Sequence, residues 1–502
     1  MKKKKIKKLL IANRGEIALR IIRACRELSI KTVSVYSDVD RFGVHTLFAD
    51  EAVEIGPAPP LESYLNIDTI ISVAKDTKCD AIHPGYGFLS ENPLFAKKCQ
   101  ESGLVFIGPN PGVMKLVGDK LKARSTMKKA GIPLIPGIDG HLNSMEEFEN
   151  KASQIGFPLL VKASAGGGGK GMRFVTGSGE LHSALQAAKR EAKSSFGDDT
   201  VYIEKFISKP RHVEFQILAD NYGNMVHLFE RECSVQRRHQ KIIEETPSPA
   251  LNDGLRQKMS KTACDVMNAA GYNNAGTVEF LLDEDKNFYF LEVNARIQVE
   301  HPVTEMVTGV DLVKQQIRIA EGEKLQIKQR EIQQRGHAIE CRIYAEDPQN
   351  NFFPSIGKLH FVKEPQGPGI RCDSGIYGGL EILHYYDPIL SKLIVWEENR
   401  TSAIERMTMA LSDYVIMGVK TPIPFLKDLI GHPKFIKGDL HTGFIEEYLD
   451  DWKPKISQDH IDIGLLTAAW AQQLKKSSKI VSKFSQNLTP WQSIGNWEIL
   501  SE

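Results

Sequence analysis

Five polar side chains fall on every second residue of one short run, and each is a group that can bind an ion or move a proton. The run contains Glu292, Asn294, Arg296, Gln298 and Glu300, separated by small or branched apolar residues. Alternate residues of an extended strand share a face, so we predict a strand with one apolar face and one face of ligand groups. Arg296 can bind a carboxylate-like anion through two hydrogen bonds, and Glu300 can accept a proton. A solvent-exposed strand shows the same alternation, so the functional interpretation depends on the identity of the side chains.

A second carboxylate is expected opposite the start of this run. Two apolar-rich strands joined by the turn 284–287 form a predicted hairpin that pairs 283 with 288 and places Glu279 opposite Glu292. Opposed carboxylates destabilise a sheet and raise each other's pKa unless a cation lies between them. Together with Asn294 they make an all-oxygen ligand set, which Mg²⁺ or Mn²⁺ prefers when a nucleotide supplies the remaining ligands. The alternative is a pair of solvated glutamates on an exposed hairpin.

A run of glycines lies between Lys162 and Lys170. It formally contains a GxGxxG pattern at Gly166, Gly168 and Gly171. The following segment reads as a strand, where a dinucleotide-binding fold needs a helix, and Lys170 is followed by neither Ser nor Thr, which a P-loop requires. We therefore predict a glycine-rich hairpin whose amides close over phosphate groups. The alternative is a surface hairpin that binds nothing.

Two basic clusters could hold anionic substrates. The first contains Arg237, Arg238, His239 and Lys241 beside a predicted strand, and a solvated basic turn is its alternative interpretation. The second is Arg342, which lies inside the apolar-alternating strand HAIECRIYA. A charge in such a place needs a partner or an anionic ligand, and a buried structural ion pair is equally consistent with the sequence.

The composition of the chain is that of an ordinary globular protein. Of 502 residues, 41% are apolar and 25% are charged, and this length predicts about two to four structural units. The net charge of +1 provides no global field to attract nucleic acid or an acidic membrane. We therefore expect neither partner, and any anionic ligand must be held by local charge.

The cysteines and the amino-terminal residues indicate a compartment. The seven cysteines are scattered and form no CxxC pair, which argues against a disulfide framework or a zinc site and favours a reduced, cytoplasmic environment. The start, MKKKKIKKLLIA, is interpreted as a basic overhang on a first strand, because its apolar stretch ends before a signal-peptide core is complete. No apolar run approaches the length that spans a bilayer.

Apolar patterns divide the chain into four parts of a multidomain protein with α/β and α+β units. Residues 1–118 show the βαβ rhythm of a parallel sheet. Residues 119–335 begin with a helix and continue with strand pairs, which predicts an α+β unit with antiparallel strands. Residues 336–450 read as a third, mixed unit, and residues 451–502 as a peripheral extension that contains one helix.

Seven motifs, in order, resemble those of the biotin carboxylase family of ATP-grasp enzymes. They cover the chain from about residue 8 to about residue 450 and read ANRGEIALRIIRA, HPGYGFLSEN, KASAGGGGKGMR, EKFISKPRHVEFQ, ECSVQRRHQK, NARIQVEHPVTE and CRIYAEDP. The resemblance implies an N-terminal Rossmann-like parallel-sheet domain, an ATP-grasp domain with a mobile lid at about 134–206, and a C-terminal mixed α+β domain. It also implies a homodimer.

The resemblance assigns roles to individual residues of this sequence. The residues implied for ATP are Lys120, Lys162, Gly168, Gly169, Glu204, Lys205, Phe206, Ile207, His212, His239, Glu279 and Glu292. Two metal ions, Mg²⁺ or Mn²⁺, would be held by Glu279, Glu292 and Asn294. Bicarbonate would contact Lys241, Arg296, Gln298 and the main chain of Val299. The ureido ring of biotin would contact Arg342 and Tyr86.

The implied reaction carboxylates biotin in two stages, with Arg296, Glu300, Arg342 and Lys241 as its catalytic residues. Glu300 would deprotonate bicarbonate, which then attacks the γ-phosphate of ATP to give carboxyphosphate and ADP. Carboxyphosphate would release carbon dioxide, its phosphate would remove the N1 proton of biotin, and Arg342 would stabilise the resulting ureido oxygen.

The implied partners are a biotin carboxyl carrier protein and a carboxyltransferase subunit. No biotin-attachment MKM tripeptide is present, so the carrier is expected on another chain unless the sequence has been cut. The tail LTPWQSIGNWEILSE resembles the segment after the carboxylase domain of long acyl-CoA carboxylase α chains, which favours an acyl-CoA carboxylase over a pyruvate carboxylase.

Two other functions remain open at this point. The first is another ATP-grasp carboxylate ligase, which has no reason to keep RRHQK, RIQVEHP and CRIYAED together. The second is an assembly subunit that binds ATP without turnover, although every implied metal ligand and Arg296 are present. The sequence departs from the family pattern at Ala165, where some members have glycine, and at Pro422, where many have asparagine.

Overall fold

In the computed structural model, which describes residues 4–138, 145–163, 172–455 and 457–484, the first five strands form a parallel sheet. Their order is β3-β2-β1-β4-β5. The strands are β1 (Lys8–Ile11), β2 (Lys31–Tyr36), β3 (Glu51–Glu54), β4 (Ala81–His83) and β5 (Val105–Phe106). The helices of this region are α1 (Gly15–Glu27), α2 (Val44–Phe48), α3 (Ile67–Asp76), α4 (Pro93–Glu101) and α5 (Pro111–Gly118). The predicted Rossmann-like domain is confirmed.

Burial and capping explain why these segments adopt this arrangement. The central strands β1 and β4 are apolar and almost entirely buried, as expected for a parallel sheet that is covered on both faces. Helices α3, α4 and α5 each begin after an asparagine, Asn66, Asn92 or Asn110, whose side chain accepts a hydrogen bond from a main-chain N–H of the first turn.

A second, smaller sheet follows, with strand order β6-β9-β7-β8. Its strands are β6 (Gly137–Ile138), β7 (Leu159–Ala163), β8 (Arg173–Val175) and β9 (Val201–Lys205), and its region contains the helices α6 (Lys120–Lys129), α7 (Met145–Ile155) and α8 (Ser178–Phe196). Strands β7 and β8 pair antiparallel on either side of the glycine run. The run itself, with Gly168, Gly169 and Ala165, lies outside the described residues.

The largest sheet has eight antiparallel strands in the order β14-β13-β10-β11-β12-β15-β22-β20. Its first five strands are β10 (Arg211–Ala219), β11 (Met225–Arg237), β12 (Gln240–Thr246), β13 (Asn274–Leu282) and β14 (Phe288–Asn294). The later strands are β15 (His337–Tyr344), β16 (Glu346–Asp347), β17 (Phe353–Pro354), β18 (Gly357–Lys358), β19 (Phe361–Lys363), β20 (Ile370–Ser374), β21 (Glu381–Ile382), β22 (Ile389–Glu397) and β23 (Val415–Met417). Because β12 pairs with β15, the sheet continues across the predicted boundary near residue 335.

The helices of this region are α9 (Asp253–Ala270), α10 (His301–Thr308), α11 (Leu312–Ala320), α12 (Arg400–Asp413), α13 (Ile423–Ile430), α14 (Pro433–Ile436) and α15 (Phe444–Tyr448). Pro422 stands directly before α13 as its N-terminal cap residue, with φ −79°. This angle matches the value that the proline ring imposes, so Pro422 fits the start of that helix without strain.

Residues 1–452 form one compact unit and residues 453–502 a second. The described part of the second unit consists chiefly of helix α16 (Gln458–Phe484), as the sequence predicts. Its apolar side chains at Ile463, Leu465, Leu466 and Trp470 are exposed within that unit. Among the described helices, none combines the length and the apolar character needed to cross a bilayer.

Arg231 ties the large sheet to helix α10. Its guanidinium is fully buried and donates hydrogen bonds to Glu214 (2.6 Å), Gln216 (2.9 Å), Thr277 (3.1 Å) and Thr304 (3.0 Å). Removing one member of a buried charged network leaves the other groups without compensation. Arg231 therefore links strands β10, β11 and β13 to one another and to helix α10.

Replacing Arg231 with methionine is expected to lower the free energy of unfolding by about 3–5 kcal/mol, because Glu214 loses a buried cationic partner. Lys261→Met is the matched control, since Lys261 forms an exposed i,i+4 pair with Asp265 and should contribute about 0–0.5 kcal/mol. Differential scanning calorimetry of both variants measures the effect. Equal melting temperatures for the two variants would contradict this assignment.

Candidate active site

Three carboxylates lie side by side across the large sheet. The register places Glu292 opposite Glu279, Glu279 opposite Glu214, and Glu214 opposite Arg231. Directly opposed residues of antiparallel strands share a face. The predicted pairing of Glu279 with Glu292 is thus confirmed, and Glu214 extends it by one strand.

The strand register that produces this pairing differs from the predicted register. Leu282, and not Asp283, is opposite Phe288, and the register shifts by one residue between Phe280 and Glu279. This irregularity inserts one extra residue, Leu291, into β14. The predicted register near the turn is therefore wrong by one residue, and the bulge restores the opposition of the two glutamates.

The ammonium of Lys241 joins three buried carboxylates. Its Nζ lies 2.6 Å from Glu214, 2.9 Å from Glu279 and 2.7 Å from Glu300. Lys241 is itself only slightly exposed. Like charges at such close range need a shared counter-charge, and Lys241 supplies it for Glu214, Glu279 and Glu300.

This charge arrangement sets the protonation of the site. Burial acts to raise the pKa of Glu279, but Lys241 and His212 outweigh it and hold that pKa well below its usual range. For Glu300 burial is likewise outweighed, by Lys241 and Arg342. The pKa of Glu292 is raised, because burial and the charge of Glu279 both disfavour its ionised form. The pKa of Glu292 thus rises as predicted for opposed carboxylates, and Glu279 is the predicted exception, in which neighbouring cations outweigh the effect.

Glu292 and its neighbours fit a divalent cation. Asn294 donates from Nδ2 to Glu279 at 2.8 Å, so two carboxylates and an amide lie together at the end of β14. Burial and the charge of Glu279 raise the pKa of Glu292, and Lys120 and His212 only partly offset them. Hard oxygen ligands with uncompensated negative charge are what Mg²⁺ or Mn²⁺ binds.

The predicted strand from Glu292 to Glu300 ends early. Strand β14 stops at Asn294, residues 295–300 form an irregular segment that closes in a turn, and helix α10 begins at His301. The alternation of an apolar and a polar face therefore does not continue beyond Asn294. The polar side chains still converge, because the turn folds Gln298 and Glu300 back towards Lys241.

Arg296 lies at the start of this segment among polar groups. Its Nε donates to Glu91 at 2.9 Å, and its terminal nitrogens donate to Gln298 at 2.6 Å and to Asn294 at 3.0 Å. Gln298 is buried and donates to Glu279 at 3.1 Å. These contacts place a guanidinium and an amide next to the carboxylate row.

Arg342 approaches Glu300 from strand β15. Its Nη2 donates to Glu300 at 3.0 Å, and its Nε donates to Glu244 at 2.6 Å. Burial, only partly offset by Arg342, raises the pKa of Glu244 to about 7. Of the two interpretations of Arg342, the structure shows the buried ion pair. Glu300 contacts both Arg342 and Lys241, so Arg342 lies close to the other predicted catalytic residues.

Tyr86 and Val299 lie close to a further lysine. Lys392 donates to the Val299 carbonyl at 2.9 Å, and its Nζ lies 5.8 Å from the ring centre of Tyr86. Tyr86 stands between Gly85 and Gly87, both at positive φ, and Asn13 donates to its carbonyl at 2.7 Å. The glycines permit the tight turn that carries this tyrosine.

The predicted ATP residues of the smaller sheet form a separate cluster. Lys162 pairs with Glu204 at 2.6 Å across β7 and β9, and Arg124 contacts the same carboxylate. The ammonium of Lys205 instead donates to the carbonyls of Gly156 and Phe157. Its side chain is thus engaged with its own sheet.

The other predicted ATP residues lie along the edge between the two sheets. Phe206 is partly exposed and packs edge-to-face on Phe174, with ring centres 4.8 Å apart, and Ile207 is half-buried. His239 occupies the exposed turn between β11 and β12, and burial together with Lys162 lowers its pKa despite Glu446. Of the basic cluster, Arg238 and His239 form the exposed turn, whereas Lys241 is at the carboxylates.

His212 and Lys120 flank the two predicted metal ligands. His212 Nε2 lies 2.9 Å from Glu279 Oε2. Lys120 is the first residue of α6, and its charge acts on Glu292 against the effect of burial. His212 on β10 and Lys120 on α6 thus add cationic groups beside the carboxylate row, and their ATP-binding role stays a prediction.

Several organising residues were not predicted. Glu214 alternates with His212 and Gln216 in RHVEFQ, so the period of two could have identified it as a member of the same face. Glu91 and Glu244 approach Arg296 and Arg342 from other segments. Spacing along the chain carries no signal for such contacts.

Comparisons with known proteins agree with this geometry. Residues 5–114 match the family described as biotin carboxylase, N-terminal domain, and residues 340–447 match the biotin carboxylase C-terminal domain. Residues 119–328 match the carbamoyl-phosphate synthase L chain, ATP binding domain. The three matches follow one another along the chain in the order that the motifs predict.

Three curated relatives span most of the chain. The biotin carboxylase of Nostoc sp. is 53% identical over 443 residues, which cover 88% of this chain and 99% of the relative. A pyruvate carboxylase subunit of Methanothermobacter thermautotrophicus is 53% identical, with 88% and 90% covered. The alpha subunit of methylcrotonoyl-CoA carboxylase of Dictyostelium discoideum is 47% identical over 501 residues, with 99% and 71% covered.

A solved structure matches the fold. It is the biotin carboxylase domain dimer of Hydrogenobacter thermophilus 2-oxoglutarate carboxylase in complex with MgADP, ADP and bicarbonate. The TM-score is 0.86 at 47% identity, and the match covers 90% of this chain and 100% of that one.

The fold and the matches define an ATP-dependent ligase of the ATP-grasp class. The chain belongs to the biotin carboxylase family. The predicted family, fold class and enzyme class are confirmed, and the relatives include carboxylases named for both pyruvate and acyl-CoA substrates.

The ion pair of His212 with Glu279 predicts a pH-dependent stability. Glu279 outweighs burial and raises the pKa of His212 above its ordinary value of 6.5. A raised folded-state pKa contributes stability that is complete below about pH 6.5 and is lost as the pH rises through the folded-state value. The stability difference between the wild type and His212→Gln should therefore shrink from pH 6 to pH 9.

Thermal unfolding across this pH range measures the effect. The exposed His182 on α8 provides the control, and His182→Gln should leave the pH profile of the wild type unchanged. A His212→Gln profile parallel to that of the wild type would disprove the ion pair.

Proposed function

We propose that this chain carboxylates biotin on a separate carrier protein, using ATP and bicarbonate, through carboxyphosphate. The observation that carries the proposal is the position of Lys241, whose ammonium contacts Glu279 at the nucleotide end of the site and Glu300 at the biotin end. Phosphoryl transfer to bicarbonate and carboxylation of biotin can then occur in one cavity. A short-lived intermediate needs this proximity.

ATP binding is assigned to the cationic edge of the site. Lys120, Lys162, His212 and His239 would contact the nucleotide, together with the glycine run and residues 204–207. Bound Mg²⁺ or Mn²⁺, held by Glu279, Glu292 and Asn294, would neutralise charge on the phosphates and add positive charge beside Glu292. Positioning and charge neutralisation account for most of the catalysis in phosphoryl transfer.

Bicarbonate is assigned to Arg296, Gln298, Lys241 and the main chain of Val299. A guanidinium binds a planar oxyanion through two parallel hydrogen bonds, and Arg296 already has Gln298 as a neighbour at 2.6 Å. The hydrogen bonds of Arg296 to Glu91 and Asn294 would be exchanged for the substrate. The similar 2-oxoglutarate carboxylase domain was solved in complex with bicarbonate, which supports bicarbonate as a ligand of this kind of site.

Glu300 is assigned as the general base. In the free protein Lys241 and Arg342 outweigh burial and hold its pKa well below the usual range, which makes it a weak proton acceptor. When Lys241 binds bicarbonate and Arg342 binds the biotin oxygen, both cations share their charge with substrate. The pKa of Glu300 would then rise towards the range in which a carboxylate removes a proton efficiently.

The second stage uses the groups around Arg342. Carboxyphosphate would lose carbon dioxide, and the phosphate released would take the N1 proton of biotin. Arg342 would stabilise the negative charge that develops on the ureido oxygen. Tyr86, at the turn beside Lys392, would contact the ring.

The assembly is proposed to include a carboxyltransferase subunit, a biotin carboxyl carrier protein and a second copy of this chain. The match to the alpha subunit of methylcrotonoyl-CoA carboxylase extends over nearly the whole chain, including the tail, which favours an acyl-CoA acceptor over pyruvate. The seven cysteines are free thiols, which is compatible with a reduced, cytoplasmic compartment.

Glu300→Gln is expected to lower the rate of ADP release in the presence of bicarbonate and free biotin about 100-fold or more, because the general base is lost. ATP binding, measured by calorimetry, should persist. Glu405→Gln, which removes an exposed carboxylate on α12, is the matched control and should retain the wild-type rate.

The same assay distinguishes the alternative functions. ADP release by the wild type that responds to neither bicarbonate nor biotin would indicate another carboxylate ligase, and ATP binding without release would indicate an assembly subunit. Full activity of Glu300→Gln would remove Glu300 from the mechanism while leaving the carboxylase assignment intact.

A further inference from the structure

Lys392 is a buried ammonium to which the reaction above gives no role. It lies on β22 and is 0% exposed, between Ser391 and Leu393, which are also buried. Burying a charged amine is costly unless close polar partners compensate it. The partners of Lys392 therefore indicate why a lysine occupies this place.

Its partners come from separate parts of the chain. The ammonium is 2.9 Å from the carbonyl oxygen of Val299, 3.1 Å from Glu16 on α1 and 4.0 Å from Asp373 on β20. The ring of Tyr86 lies on another side, with its centre 5.8 Å away. The shortest of these contacts is made to the main chain of the segment that carries Gln298 and Glu300.

Neutralisation of nearby acids does not account for this lysine. Burial raises the pKa of Glu16 to about 7 despite Lys392, and burial raises the pKa of Glu340 well above its usual range. Lys392 also stands directly opposite Arg342, a pairing of like charges that a sheet normally avoids. On its other side Lys392 stands opposite Asp373, but that carboxylate is already paired with Arg371 at 2.7 Å and lies 4.0 Å from the ammonium. The closest contact of Lys392 is therefore the Val299 carbonyl and not an acid.

The main chain around Val299 needs an anchor. Because β14 ends at Asn294, residues 295–300 have left the ladder of strand hydrogen bonds. The Gln298 carbonyl lies 2.8 Å from His301 Nδ1, and the next carbonyl, that of Val299, accepts from Lys392. The second contact fixes the peptide unit that links Val299 to Glu300.

We propose that Lys392 is a positioning residue for bicarbonate. By holding the Val299 carbonyl, it fixes the peptide unit that leads into Glu300 and restricts the rotation of Val299. The Glu300 side chain and the Val299 N–H then both face the anion bound by Arg296. The inference deepens the proposed bicarbonate site and depends on it. Lys392 itself stays behind the main chain and does not contact the substrate.

Lys392→Met tests the proposal, since methionine keeps the length of the side chain without its donor. The KM for bicarbonate should rise about ten-fold or more, because a hydrogen bond from a charged donor is lost at the binding segment. The KM for ATP, measured at saturating bicarbonate, should stay within the error of the wild-type value. Loss of a merely structural contact would shift both constants or the melting temperature alone.

Two further variants control for the buried carboxylate. Glu16→Gln removes the charged neighbour and keeps the Lys392 contact to Val299, so its KM for bicarbonate should match that of the wild type. The double variant Lys392→Met with Glu16→Gln leaves no unpaired charge and guards against unfolding. It should retain the raised KM.

The outcomes separate this inference from the function on which it depends. A normal KM for bicarbonate in Lys392→Met, or its recovery in the double variant, overturns the positioning role alone. Wild-type ADP release that is indifferent to bicarbonate overturns both the proposed function and this inference. A raised bicarbonate KM in both lysine variants, with Glu16→Gln normal, supports the proposal.

Discussion

The contact of one buried ammonium with three carboxylates is the interaction on which the rest of the site depends. The register of the large sheet forces Glu292, Glu279 and Glu214 into adjacent positions on one face. Such a row is stable only if cations lie among its members. Lys241 compensates two of the three carboxylates and also reaches Glu300, and it thereby links the sheet to the turn before α10.

Neighbouring cations do not offset burial equally for these carboxylates, and the carboxylate with the raised pKa, Glu292, is a predicted metal ligand. Glu279 is held ionised by Lys241 and His212, which outweigh burial, whereas Glu292 has a raised pKa because burial and Glu279 act together. The metal ion of a bound nucleotide would therefore add positive charge beside Glu292. At the other end, Arg342 contacts Glu300 and Glu244, and under the proposed mechanism the ureido oxygen of biotin would compete with them for it. Sites that bind charged ligands commonly keep such local conflicts at some expense of stability.

The sequence predicts which residues belong to the site better than it predicts the path of the main chain that carries them. The period of two correctly grouped Glu292 with Asn294. Glu279 lies opposite Glu292 as predicted, although a bulge and not the predicted register at the turn produces the pairing. The extension of the strand to Glu300 was wrong, because the chain leaves the sheet after Asn294, and alternation of residue types cannot distinguish a strand from an irregular segment. Contacts between distant segments, such as Glu91 with Arg296, leave no trace in spacing. Lys392, by contrast, is a charge within an apolar strand, the signal that identified Arg342.

The most direct measurement of the central claim follows oxygen from bicarbonate. If bicarbonate bound beside Lys241 attacks the γ-phosphate, its bridging oxygen stays on phosphorus when carboxyphosphate releases carbon dioxide. The reaction of ¹⁸O-labelled bicarbonate with ATP and free biotin, analysed by mass spectrometry, should therefore give inorganic phosphate with one labelled oxygen for each ADP formed. Unlabelled phosphate, formed at the same rate as ADP, would contradict the account.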